Sequence, residues 1–221
     1  AFMTQSDSSK IANMTTWYQN TIKDLNTILK DNIGKGTEQV NIAVSSSATY
    51  SKTSDGKVTT TNYISSGTSD YTASVVSAGG NFALKDYDFG TSTSSGKMTD
   101  LGKWLVDYKI DKLIVSKTGS AFSWYGGTAL TDGLKTVQSC ALAFSDTEAF
   151  YNNEVYILSG DMPILLRTIY AACILYPDLF TKEWADNYNV QHCTQFLGID
   201  ENTVRSGSYY LSMTDMGLSG H

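Results

Sequence analysis

Positive charge is scarce in this chain. Its 221 residues hold 16 Lys and Arg against 22 Asp and Glu, for a formal charge of -6, and only 17% of all residues are charged. Nucleic-acid binding draws its affinity from Lys and Arg neutralising phosphates, so that class of partner is excluded. No run of 18 or more apolar residues occurs, so nothing reads as a membrane-spanning helix. Histidine is limited to His192 and His221, and cysteine to Cys140, Cys173 and Cys193. The cysteines form no CxxC and have no His pair at zinc spacing, so no metal site is expected. They read as small buried hydrophobes, with a Cys173–Cys193 disulfide open if their helices pack together. The stretch at 90–97 (GTSTSSGK) imitates a phosphate-binding loop but spaces its glycines by five residues where four are needed, with no Ser or Thr after its Lys. No G-x-S-x-G is present. Asp161 and Glu154 are isolated carboxylates without a partner at acid–base spacing. Catalysis is therefore not expected. Nothing at Ala1 reads as a secretion signal, so any such signal is expected upstream or removed.

What is present is a succession of strands and helices. Ile11, Met14, Tyr18, Ile22, Leu25 and Leu29 recur at three- and four-residue spacing, which predicts a long amphipathic helix over 11–33, with Ser8 or Ser9 as cap and Gly34 as its end. A β-branched run at 40–44 predicts a strand. The Asp55-Gly56 pair within the Thr- and Tyr-rich stretch 48–64 predicts a hairpin. Further helices are expected at 70–78, 99–108, 128–141, 162–176 and 182–196, with a helical turn at 145–150. Strands are expected at 81–84, 112–115 and 154–158, and a Ser/Thr/Gly-rich loop at 90–96. Strands alternating with helices imply an α/β domain, Rossmann-like, with a mainly parallel sheet covered by helices on both faces.

In an open parallel sheet, ligands lie beyond the carboxyl ends of the strands. That rule selects four loops, at 45–69, 85–98, 117–127 and 159–163. In the third, Trp124 and Tyr125 are adjacent large aromatics flanked by glycines, which suits stacking on a planar or macrocyclic ligand. Tyr50 and Tyr71 fall at the same predicted edge, Ser69 would cap the helix carrying Tyr71, and Asp161 and Met162 occupy the fourth loop. These seven are the candidate ligand-binding residues. A bare metal ion would need clustered carboxylate, His or Cys ligands, so the edge favours a large chelate.

Several short motifs occur in a suggestive order. Ser69-Asp70-Tyr71 precedes Ala78-Gly79-Gly80-Asn81-Phe82, then come Asp111-Lys112-Leu113-Ile114-Val115 and the stretch from Phe150 through Asn153 to Val155-Tyr156. Tyr176-Pro177-Asp178-Leu179-Phe180 and Phe196-Leu197-Gly198-Ile199-Asp200 close the series. Over residues 10–206 this order resembles the C-terminal lobe of the helical-backbone substrate-binding proteins of iron-siderophore, haem and cobalamin ABC importers. The resemblance implies that residues 1–34 are an interlobe connecting helix, that 35–221 form the C-terminal α/β lobe, and that the N-terminal lobe is absent from this chain. It implies a non-enzymatic, extracytoplasmic transport protein, at the cell surface or in the periplasm and lipid-anchored as a lipoprotein through an upstream segment. Its cargo would be a metal chelate or tetrapyrrole and its partner an ABC permease, with the protein itself monomeric and free of cofactor. The acidic permease-docking position of the family falls near Lys103, which shifts that role to Asp100 or Asp107. The alternative is a surface adhesive domain whose aromatic loop and hairpin contact protein or glycan.

Overall fold

The computed structural model describes residues 5–89, 95–97, 108–119 and 130–220. The predicted helix at 99–108 therefore lies almost wholly outside the described residues. The chain begins with helix α1 (Gln5–Asn32), already under way before Ser8, so the expected serine caps lie inside it. Gly34, at φ +75, ends it as the sequence suggests, since a left-handed residue cannot continue a right-handed helix. Strands β1 (Asn41–Lys52) and β2 (Val58–Ser65) follow, then helix α2 (Asp70–Ser77) and strand β3 (Asn81–Phe82). Next come β4 (Ser95–Lys97), β5 (Lys112–Lys117), α3 (Leu130–Leu142), α4 (Glu148–Tyr151) and β6 (Val155–Ser159). The chain closes with α5 (Ile164–Leu175), α6 (Lys182–His192), α7 (Glu201–Arg205) and β7 (Tyr210–Leu211).

All seven strands join one sheet, in the order β4-β2-β1-β5-β6-β7 with β3 also against β1. Its centre is parallel: β1 pairs that way with β3 and β5, and β5 with β6. The margins, β1–β2, β2–β4 and β6–β7, are antiparallel. The sheet is thus mixed, parallel where helices cover it. From β1 the chain crosses through α2 to β3 on one side, while β5 lies on the other side of β1 and leads through α3 to β6. Right-handed crossovers in opposite directions place α2 and α3 on opposite faces.

Register assigns side chains to those faces. A Cβ on Gly80 would stand 3.0 Å from Ile42 Cγ1 and 3.3 Å from Leu175 Cδ1, so Ile42 faces α5. Ile42 pairs with Lys112, so Ile114 and Ser116 share its face by the two-residue alternation of a strand. Ala43, Leu113, Val115 and Lys117 turn toward α3. Helix α5 is the centre of the core: every residue from Leu165 to Leu175 is buried, as expected of a helix apolar on most sides. Each such Leu or Ile contributes on the order of 1.5–3 kcal/mol by leaving water.

Two departures from the predicted elements bear on the site. β1 does not stop at Val44. Past a register shift between Ser45 and Ser47 it pairs only with β2, so a two-stranded ribbon runs beyond the parallel sheet. The ribbon closes at the expected turn, where Thr53 N–H donates to Lys57 O (2.9 Å) and Gly56 takes φ +86. The second departure lies in the predicted 90–96 loop, where Ser95 and Gly96 belong to β4 against β2.

Helix α1 packs with only part of its length. Leu25 and Leu29 are buried, Trp17 Nε1 donates to Gln191 (3.0 Å), and Tyr188 Oη donates to Asp24 (3.0 Å). Leu29 meets Gly79 at the amino edge of the sheet, while Tyr18 and Ile22 share a cavity with Ile164 at the start of α5. The helix therefore points its amino end past the carboxyl edge. Ile11 is 47% exposed there, and of residues 8–16 only Met14 is partly covered. At about 1.5 Å per residue, the turns before Trp17 reach roughly 18 Å farther.

Candidate functional site

The carboxyl edge assembles from the ends of β5 and β6 and the starts of α2 and α5. Ser69 caps α2, its Oγ accepting from Tyr71 N–H (3.3 Å), so its hydroxyl is engaged with the helix. That cap sets Tyr71 in the first turn, half-buried. The Arg167 guanidinium carbon, from the first turn of α5, stands 4.8 Å from the Tyr71 ring centre. Arg167 Nη2 donates to Asp70 (2.7 Å), joining the two helix starts.

Gly160 closes the cluster. Its N–H donates to Lys117 O (2.8 Å), which extends the β5–β6 pairing by one step. A Cβ at this position would lie 2.8 Å from Thr118 Cγ2 and 3.2 Å from Tyr71 Cε1, so glycine alone lets Tyr71 and Thr118 approach. Asp161 accepts from Gly119 N–H (2.7 Å) and holds the start of the loop after β5 against the loop after β6. Met162 is 2% exposed and packs in the core beneath them. Tyr50 sits on the ribbon, where both its backbone groups bond Ser139 Oγ of α3, at 2.9 and 2.8 Å. The edge thus brings together Ser69, Tyr71, Asp161 and Met162, while Tyr50 stands apart on the α3 side. Trp124, Tyr125, Asp100 and Asp107 lie outside the described residues.

The electrostatics of this edge are unusual for an interior. The Arg167 side chain is 4% exposed and its Asp70 partner 57%. Its Nε and Nη1, together with Ser65, Ser116 and Ser159 Oγ and Thr72 Oγ1, are buried without a hydrogen-bond partner among the described residues. Burying such groups unpaired costs on the order of 1–3 kcal/mol each, more for a charge. Two cavities flank the cluster. One of about 510 Å³ lies at the end of β1 and β5 against α3. Another of about 530 Å³ lies between residues 66–68 and 82–89, including Phe82, Lys85 and Tyr87.

Among the described residues no group of three or more His, Cys, Asp or Glu is placed to hold a metal ion. All three cysteines are buried and none is in a disulfide, so the Cys173–Cys193 bridge does not form. Cys173 Sγ donates to Thr181 O (3.2 Å), and burial, with Asp186 nearby, pushes its thiol up to about 12. His192 packs against α1. Its Nε2 lies 3.3 Å from Tyr18 Oη, and burial lowers its pKa below the ordinary value.

Sequence reasoning missed Arg167 and Gly160. A signal existed for both: Arg167 is the one charge in an otherwise apolar helix, and Gly160 follows a strand directly and precedes a helix start.

No family model matches the sequence, and no curated protein matches it. Solved structures do. A TroA-like periplasmic binding protein, FepB, from Veillonella parvula superposes with a TM-score of 0.66 at 13% identity, over 94% of this chain and 57% of that one. An ABC transporter solute-binding protein from Sulfurospirillum deleyianum matches with a TM-score of 0.58 at 15% identity, over 88% and 54%. Helicobacter pylori CeuE with bound Ni(II) matches with a TM-score of 0.54 at 16% identity, over 90% and 55%. The chain spans little more than half the length of these structures, and over that length it has the fold of the TroA-like periplasmic binding proteins.

Proposed function

We propose that this chain is the C-terminal lobe, with its connecting helix, of an extracytoplasmic solute-binding protein that delivers a metal chelate or tetrapyrrole to an ABC permease. The observation that carries this reading is the carboxyl edge. There a stacked Tyr71–Arg167 pair, orphaned hydroxyls and two open cavities meet at the switch point of the sheet, where α/β proteins place ligands. The exposed amino-terminal turns of α1 run past that same edge, which suits a helix leading to a second lobe across a cleft. The likeness to solute-binding proteins over about half their length agrees with one lobe of two.

In this reading Tyr71, Asp161 and the loop carrying Trp124 and Tyr125 face the solute, and Ser69 and Met162 hold them in place. Tyr50 borders the solute from the ribbon. Asp100 or Asp107 contacts the permease, and an upstream segment carries the lipid anchor. The cargo is an iron chelate, haem or corrinoid. Titrating the protein with haemin, cyanocobalamin and a ferric siderophore while following Trp fluorescence tests this. A saturable response to one of them, weakened in Trp124→Ala and Tyr71→Ala, is expected. No response to any of the three would refute the proposed cargo.

A further inference from the structure

The cavity of about 510 Å³ on the α3 side has a charge pattern that the aromatic edge does not explain. Lys117 ends β5 and Lys135 lies on α3, and both line it together with the hydroxyl residues Ser47, Thr49, Thr118 and Thr136. Among the described residues no carboxylate lines it. In a chain of net charge -6, two lysines facing one polar hollow form a local exception. Among the described residues neither ammonium has an ion-pair partner, although six other cations do.

The walls are fixed by contacts that engage neither ammonium among the described residues. Ser139, also in the lining, spends its hydroxyl on both backbone groups of Tyr50, which pins the ribbon to α3. The β1 register shift between Ser45 and Ser47 falls at the same place, and Ser45 Oγ donates to Tyr63 O (2.9 Å) across it. Bulges of this kind re-aim side chains beside sites. Lys117 and Cys140 line the same cavity, and the lysine charge opposes, in part, the rise that burial gives the Cys140 thiol.

The geometry points to a subsite for an oxyanion of two or more charges, a carboxylate cluster or a phosphate, held between Lys117 and Lys135 with hydroxyl donors around it. Ammonium–oxyanion hydrogen bonds are among the stronger polar contacts, and no carboxylate among the described lining residues competes for either cation. Placement of this subsite within the solute cleft rests on the proposed function, where it would select anionic solutes over neutral ones. The binding itself rests only on the residues of this cavity.

Titration of the protein with citrate and with inorganic phosphate, each against sodium chloride at matched ionic strength, tests the assignment by amide chemical-shift changes. Saturable shifts at Thr118 and Thr136 are expected. Lys117→Gln and Lys135→Gln should each weaken binding roughly tenfold, with Lys117→Arg and the distant Lys30→Gln near wild type. Tighter citrate binding identifies the carboxylates of a larger solute as the source, and tighter phosphate binding a free inorganic anion. Responses no larger than with sodium chloride, or an equal loss in Lys30→Gln, overturn the subsite. A protein that binds citrate but no haem, corrinoid or ferric chelate keeps the subsite and loses the proposed cargo.

Discussion

The two edges of the sheet are built to opposite rules. At the amino edge, polar groups find partners inside the protein. Tyr176 Oη donates to Gly79 O (2.8 Å) and accepts from Val40 N–H (3.3 Å), Asn81 Nδ2 donates to Asn41 (2.7 Å), Asn41 N–H donates to Asp111 (2.9 Å), and Lys112 pairs with Glu154. At the carboxyl edge, Arg167 Nε and Nη1 and the hydroxyls of Ser65, Ser116, Ser159 and Thr72 are buried without such partners among the described residues, and cavities open beside them. Satisfied polar groups stabilise a fold, whereas unsatisfied ones persist where another requirement holds them. The amino edge thus serves stability, while the carboxyl edge carries the proposed solute site.

Substitutions can break this contrast, and the largest effect belongs to the amino side. Leu175→Ala, at a buried position against Gly80 and Ile42, should cost about 2–5 kcal/mol by creating a cavity. Urea denaturation measures this directly, and Thr118→Ala at the opposite edge should cost less than about 0.5 kcal/mol. Gly79→Ala is next in size. It needs φ near +96 and places a Cβ 3.0 Å from Tyr176 and 3.1 Å from Leu29, so thermal unfolding should show a loss of about 1–3 kcal/mol.

Arg167→Met sharpens the comparison. Removing one partner of a buried ion pair is normally severe, but here the remaining carboxylate of Asp70 is largely solvated. The two orphaned guanidinium nitrogens also vanish, so stability should stay within about 1 kcal/mol of wild type or rise. Chelate titration of the same variant should weaken, because Tyr71 loses the plane behind its ring. A loss of 3 kcal/mol or more would make Arg167 an ordinary structural ion-pair residue.

The smallest effect is a pH dependence where α6 packs on α1. His192 is buried among Tyr18, Trp17 and Phe196, and its folded pKa lies below the ordinary 6.5. The unfolded chain then takes up the proton first as pH falls, so stability is full above about 6.5 and declines on acidification. Denaturation midpoints between pH 7.5 and 5 should fall in wild type, and the slope should flatten in His192→Leu.

Much of this architecture is legible in the residues because it follows from local chemistry. Ser69 before Asp70-Tyr71 reads as a cap and is one, Asp55-Gly56 reads as a hairpin turn and is one, and Gly34 ends α1 at positive φ. The missed features depend on partners distant in sequence. The run Ser45-Ser46-Ser47 has little strand preference of its own and is extended because β2 pairs with it. Ser95 to Lys97 likewise becomes a strand only through residues 63–65. The site divides in the same way. Tyr71 was visible from its cap, whereas the pairing of Arg167 with Tyr71 joins helices nearly a hundred residues apart.

The central claim is that solute meets the carboxyl edge. Mapping amide chemical shifts during titration with haemin, cyanocobalamin or a ferric siderophore tests it most directly. The account predicts that the bound solute shifts Tyr71, Thr118, Gly160 and Asp161 and leaves Gly79, Gly80 and Asn81 in place. Shifts concentrated at Gly79 to Asn81, or at the hairpin turn around Gly56, would contradict it.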